Sequence, residues 1–350
     1  MTDVFHHSWL GGLFGDDEMA AIWSAESQLA NMLRFEAAWS RALGRAGLVN
    51  ATAANATAEA ILTVKPDIAE LRDGTARDGV PVPALVAAVK HALPGADNSV
   101  HQGATSQDVI DTALALSLRA TSDLFLARIA ALEAALHGLA DKFGRNTMMG
   151  RTRMQAAVPI RVADHIDAWS GPLARHGARI ADIRPRVEQL QFGGAAGNRA
   201  AVGDAAPAIA KSLATDLGLA NPPRAWHAER DGVAEYGALL SLLTGALGKM
   251  GQDICLMAQR GIDEIRIRGS GGSSAMPHKQ NPIPAEILVT LARFNATLVS
   301  GLHHSLVHEQ ERSGAAWALE WMILPQMAEA TARALTLATS LTEHTEVMGR

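Results

Sequence analysis

Apolar residues recur every three to four positions along most of this chain, and almost never at every second position. That spacing predicts amphipathic helices rather than half-buried strands. The pattern predicts helices over 18–47, 52–64, 66–73 and 82–93, and then it changes scale. From Thr105 to Phe143 there is no proline and a single glycine. Thr105 or Ser106 can cap this stretch, Asp108 suits its first turn, and Gly144 can end it. A helix of that length spans on the order of 55 Å at 1.5 Å per residue. Three further long patterns follow, over 160–192 with breaks near Pro172 and Pro185, over 229–262, and over 283–311, where Pro282 and Pro284 suit a first turn. A last helix is predicted over 315–345. In the 229–262 pattern Tyr236, Leu239, Leu240, Leu243, Leu247, Met250 and Ile254 share one face. No alternating run bounded by turns stands out, so the expected fold class is all-α, a long-helix bundle. Polar faces this thin favour stripes that continue into other subunits over a compact monomer.

Composition narrows the chemistry. The 350 residues are 48% hydrophobic, enough for a large core in one to three domains. The net charge of −5 lacks the concentrated basic face of a nucleic-acid binder. One cysteine, Cys255, excludes an internal disulfide and fits a reducing compartment; its apolar helical setting reads as a buried structural thiol. The thirteen histidines show no metal-ligand spacing, so no metal site is expected. Neither a secretory leader nor a run of eighteen apolar residues is visible, and the default expectation is a cytoplasmic protein without a membrane partner.

Four polar islands interrupt the helical text. VHQGATSQDVIDTA (100–113) places Thr105 and Ser106 at a helix start, an anion seat on one reading and an ordinary cap on the other. MGRTRMQAAVPI (149–160) carries Arg151, Arg153 and Gln155; the arginines either receive carboxylates or decorate a solvated loop. PPRAWHAERDGVAEYG (222–237) sets His227 just before a helix, a place where a lone histidine is more often structural. The fourth, GSGGSSAMPHKQNP (269–282), begins like a flexible linker but ends in residues no linker needs, including Lys279, one of only six lysines.

With those residues in view, GSSAMPHKQNP resembles the signature loop of the fumarase/aspartase superfamily. HQGATSQDVIDTA and GRTRMQAA resemble its other two shared regions, in the same order, and the resemblance runs over roughly residues 15–340. LQFGGAAGN (190–198), AWHAERD (225–231) and HEQERSGAAWALEWMILPQ (308–326) resemble the superfamily's muconate-lactonising, or cycloisomerase, branch; the competing branch is adenylosuccinate lyase. The resemblance implies a homotetramer with a central twenty-helix core and active sites shared between subunits. It implies an N-terminal helical domain over 1–104 and a bundle domain over 105–345. The small C-terminal helical domain common in the family is expected to be absent or truncated. It also implies a tricarboxylate substrate, no cofactor, and a place in protocatechuate breakdown. Ser273, six residues before the loop lysine, is implied as the proton carrier, with Lys279 and Asn281 stabilising the developing charge. Thr105, Ser106, Arg151, Arg153 and Gln155 are then expected to hold spectator carboxylates, with His101 and His227 lining the pocket.

One departure discriminates. Where most of the superfamily reads T-H-x-Q, this chain reads Thr152-Arg153-Met154-Gln155, and RDGVPVPALV lacks a second histidine found in adenylosuccinate lyases. An amine leaving group needs a proton from such an acid. A carboxylate, with a conjugate-acid pKa near 4, does not. The loss therefore fits lactone formation. An adenylosuccinate-type lyase remains the alternative. So does a non-catalytic assembly protein of the same fold, which retention of Ser273, Lys279 and Asn281 disfavours.

Overall fold

The computed structural model describes residues 3–96, 98–269, 271–272, 276 and 280–350. Six helices lead in: α1 (Gly11–Phe14), α2 (Asp17–Ile22), α3 (Ala25–Arg45), α4 (Ala51–Ile61), α5 (Ile68–Asp78) and α6 (Val82–Ala92). The long α7 follows (Ser106–Phe143), then a hairpin of β1 (Thr147–Thr152) and β2 (Gln155–Arg161), and α8 (Val162–Val187). After α9 (Ala206–Leu217) come α10 (Asp231–Met257), β3 (Ile265–Ile267), α11 (Ile283–His304), α12 (Ala315–Glu343) and β4 (Thr345–Met348).

The chain is mostly helical, as its periodicity predicts, but not purely so. β1 pairs antiparallel with β2, and β3 with β4. The 149–160 stretch, expected as a loop, is thus most of a hairpin. Its strands are largely exposed on both faces, so they carry no alternating signal. Its two-residue turn puts Arg153 (φ 49°) and Met154 (φ 66°) in left-handed backbone, where such hairpins usually carry Asn-Gly. The predicted 18–47 helix is two: Trp23 ends α2, and Ser24 caps α3 by accepting from the Ser27 amide at 3.1 Å. Neither Pro172 nor Pro185 breaks α8. The stripe Ile166, Trp169, Leu173, His176, Ile180, Ile183, Val187 is buried along one face and holds the helix together across both. The unpredicted α9 carries ordinary signals, with Pro207 in its first turn and a left-handed Gly218 at its end.

Two cores organise these elements. One joins α3, α4, α6 and the first turns of α7 to Leu190, Phe192 and α9. The other fills the bundle of α7, α8, α10, α11 and α12. α10 and α11 approach closely because α10 offers glycine at the contact; a Cβ on Gly251 would lie 2.5 Å from the Ala285 carbonyl oxygen. Cys255, expected to be buried, is half-buried on α10; burial, with the charge of Glu286 adding to it, pushes its thiol up to about 11. α11 is thinly covered: in its apolar 18-residue window only 28% is buried within the chain.

The bundle has two distinct ends. At one, the head, α7, α10 and α12 all begin, because Arg230 and Trp317 both reach Asp111. At the other, the tail, the β1–β2 hairpin meets β3–β4 and the chain that follows β4. There the Thr147 and Arg350 backbones exchange hydrogen bonds at 2.8–2.9 Å, and the Met149 amide donates to Glu264 Oε1 at 3.0 Å.

Candidate active site

At the head, the first two turns of α7 turn Gln107, Asp108 and Asp111 inward. All three are fully buried. Asp108 is the hub. Its Oδ2 accepts from the Thr105 amide at 3.0 Å, closing the helix start. Its Oδ1 and Oδ2 also accept from the Gly193 and Gly194 amides at 2.8 and 2.9 Å, and Oδ1 lies 2.9 Å from His227 Nε2. Four donors around one carboxylate satisfy a charge that would otherwise be costly to bury. Gly193 has no freedom to carry a side chain: a Cβ there would sit 2.6 Å from the Ala225 Cβ and 2.7 Å from His227 Cε1.

One turn further, Asp111 meets Arg230. The guanidinium reaches Asp111 Oδ2 and Oδ1 at 2.7 and 3.2 Å and Glu320 Oε1 and Oε2 at 2.9 and 2.5 Å. None of the three is more than 1% exposed. Full burial disfavours the Arg230 charge, but the two carboxylates outweigh it and raise its pKa. Trp317 Nε1 donates to Asp111 Oδ1 at 3.0 Å, and Arg230 lies over the Trp226 ring. Gln191 bridges the remaining gap, donating to Asp111 Oδ2 and accepting from the Trp226 amide. Arg312 is different in kind. Among the described residues its guanidinium donates to neutral acceptors, Gln107 Oε1 at 2.8 Å and the Ala195 carbonyl at 3.3 Å. It brings a positive charge to the head with no carboxylate paired to it among the described residues.

The head therefore joins four separated segments: 100–113, 190–198, 225–231 and 308–326. Of the expected site residues it holds His101, Thr105, Ser106 and His227. His227 does not line an open pocket within one chain. It is 3% exposed, beneath the 193–197 loop, because its ring is drawn in by Asp108. His101 is mostly buried, with Nδ1 2.6 Å from Glu36 Oε1.

The tail holds Arg151, Arg153 and Gln155. Arg151 donates to Glu264 Oε2 at 2.5 Å, while Arg153 and Gln155 are exposed at the hairpin turn. Asn281 closes the loop base, exchanging backbone hydrogen bonds with Gly271 at 2.7 and 2.9 Å. Ser273 and Lys279 lie outside the described residues. α7, 38 residues long and about 55 Å from end to end, lies between His101, Thr105 and Ser106 on one side and Arg151, Arg153 and Gln155 on the other, so one chain does not bring these two groups together.

Sequence reasoning missed Gln107, Asp111, Arg230, Arg312 and Glu320. Asp108 reads from sequence as a simple dipole complement, and charged residues near helix starts are expected at the surface. The available signal was the i, i+3 spacing of Asp108 and Asp111, which puts both carboxylates on one face of α7.

This helical architecture, with polar residues gathered from the starts of three long helices, is that of a lyase bundle. The lyase family model matches residues 14–296. The chain belongs to that family, within the fumarase/aspartase superfamily. It is 37% identical to 3-carboxy-cis,cis-muconate cycloisomerase of Pseudomonas aeruginosa, covering 99% of this chain and 77% of the relative. The crystal structure of 3-carboxy-cis,cis-muconate lactonizing enzyme from Pseudomonas putida matches with a TM-score of 0.91 at 37% identity, over 97% of this chain and 77% of that one. A fumarate lyase from Mesorhizobium sp. BNC1 matches at 0.90 and 31% identity, over 96% and 76%.

Proposed function

We propose that this protein is a 3-carboxy-cis,cis-muconate cycloisomerase, interconverting that tricarboxylate and 4-carboxymuconolactone. Within the family, the observation that carries this reading is Arg153 at the exposed hairpin turn, where amine-eliminating relatives need an acid. A guanidinium cannot serve as that acid, but it suits a substrate with three carboxylates. One substrate carboxylate adds to the double bond conjugated with another, closing a five-membered lactone. Negative charge develops as an aci-carboxylate, which Lys279, Asn281 and loop amides stabilise. Ser273 delivers the proton to carbon. The carboxylate that adds or leaves needs no proton at neutral pH. Thr105, Ser106 and His101 at the head, with Arg151, Arg153 and Gln155 at the tail, hold the substrate by its carboxylates.

The reading requires heads and tails of different subunits to meet. Antiparallel packing of bundles in a homotetramer with a twenty-helix core does this, and it covers the thinly buried face of α11. A complementation experiment tests the arrangement. The double variant Thr105→Val/Ser106→Ala removes the anion seat of a head, and Ser273→Ala removes the proton carrier of a tail. Refolding the two inactive variants together is expected to restore activity in about a quarter of the sites, those built from one intact head and one intact tail. No recovery, with mixed tetramers demonstrated by differential tags, would place the whole site within one subunit.

A further inference from the structure

Glu36 lies in α3, well before the islands that carry the chemistry, and it is an unusual core residue. Its side chain is completely buried. Oε1 holds His101 Nδ1 at 2.6 Å, while Oε2 has no hydrogen-bond partner among the described residues. The histidine's side chain is 18% exposed, and with Nδ1 committed its Nε2 is left without a hydrogen-bond partner among the described residues. His101 also adopts a left-handed backbone (φ 58°), a conformation that costs about 1 kcal/mol or more for a residue with a side chain. Trp39 Nε1, donating to the Gln102 carbonyl at 3.2 Å, and a left-handed Gly103 packed on Ala201 hold the turn in that shape. A buried carboxylate that fixes one ring nitrogen and presents the other is the arrangement by which proteins set a histidine's tautomer, direction and charge.

We propose that Glu36 is a positioning residue: it aims His101 Nε2 out of the head and keeps the ring positively charged, so that His101 receives one carboxylate of the substrate. This rests on the cycloisomerase reading above. The surrounding charges support it. Burial lowers the His101 pKa, but the hydrogen bond and charge of Glu36 from α3, with the charge of Asp108 from α7, outweigh burial and raise it; Lys90 from α6 opposes them weakly. The cationic form is therefore complete at low pH and is lost as pH rises through this raised value.

The test is kcat and KM against pH for wild type, Glu36→Gln, Glu36→Asp and His101→Gln, with 3-carboxy-cis,cis-muconate as substrate. Wild-type kcat/KM is expected to fall on an alkaline limb set by His101. Glu36→Gln should move that limb down by about one pH unit or more and raise KM about tenfold or more, with a smaller change in kcat. Glu36→Asp should recover part of both. His101→Gln should raise KM similarly and abolish the limb, and adding Glu36→Gln to it should cost nothing further. A folded Glu36→Gln with wild-type KM and an unmoved limb overturns the proposal. The ring charge is read independently of activity and of any variant's folding from the 15N shifts of His101 in the wild-type protein. Nitrogens that both carry protons near neutral pH support the proposal, and a neutral ring there overturns it. A wild-type protein that leaves the substrate untouched but shows a charged His101 would instead fault the choice of substrate.

Discussion

Replacing Arg230 with methionine is expected to destabilise the protein more than any other single change at the head, by about 3–5 kcal/mol. Domains of this kind are stable by only about 5–15 kcal/mol, so much of the margin would go. The reason is asymmetric. Arg230 is the shared partner of two buried carboxylates, Asp111 and Glu320, and its removal leaves both buried charges without the guanidinium that pairs them. Trp226 loses its stacked cation as well. Arg230→Lys should rescue little, because an ammonium cannot present two forks to two carboxylates at once. Adding Asp111→Asn and Glu320→Gln to Arg230→Met should recover part of the loss, since the unpaired charges are then gone. Urea unfolding followed by circular dichroism measures all of these. A midpoint for Arg230→Met close to wild type would mean that the triad is solvated in the assembled protein and does not hold the head together.

Ser273→Ala is expected to have the largest effect on turnover. General acid–base catalysis by a positioned group contributes on the order of 10²–10⁴-fold, and kcat should fall by that factor. KM should change little, and the unfolding free energy should stay within about 0.5 kcal/mol of wild type, as expected of a serine whose part is chemical. The pair of readouts separates a proton carrier from a structural serine. Near-normal kcat would remove Ser273 from the mechanism and move the search for the proton source to Lys279 or to a tyrosine-free set of head residues such as His101.

What could be read from the sequence divides along physical lines. The long helices were legible because their burial follows a single period, and the stripe from Tyr236 to Ile254 is buried as that period requires. The hairpin was not, because exposed strands have no buried face to record, and its turn uses Arg153 and Met154 where glycine would have announced it. α8 shows the reverse error: two prolines argue for breaks, but a continuous buried stripe outweighs two missing hydrogen bonds.

The chemistry divides similarly. Residues that signal by local crowding, such as the Thr105–Ser106 cap or the serine–lysine loop, stand out in a linear text. Arg230, Glu320 and Glu36 do not, because their meaning lies in partners about 65 to 120 residues away. The family resemblance implies sites shared between subunits, and α7 holds the 100–113 island and the 149–160 island at opposite ends of a single chain. The motif order along the chain says nothing of this; only the length of the uninterrupted helix between them does.

The central claim is the reaction, and a direct assay tests it. Purified protein is mixed with 3-carboxy-cis,cis-muconate while the conjugated-diene absorbance is followed, with adenylosuccinate in a parallel cuvette. The account predicts rapid loss of the diene signal and no reaction of adenylosuccinate. Cleavage of adenylosuccinate with the diene untouched would contradict it, and would mean that a leaving amine is protonated by a residue other than the histidine that Arg153 replaces.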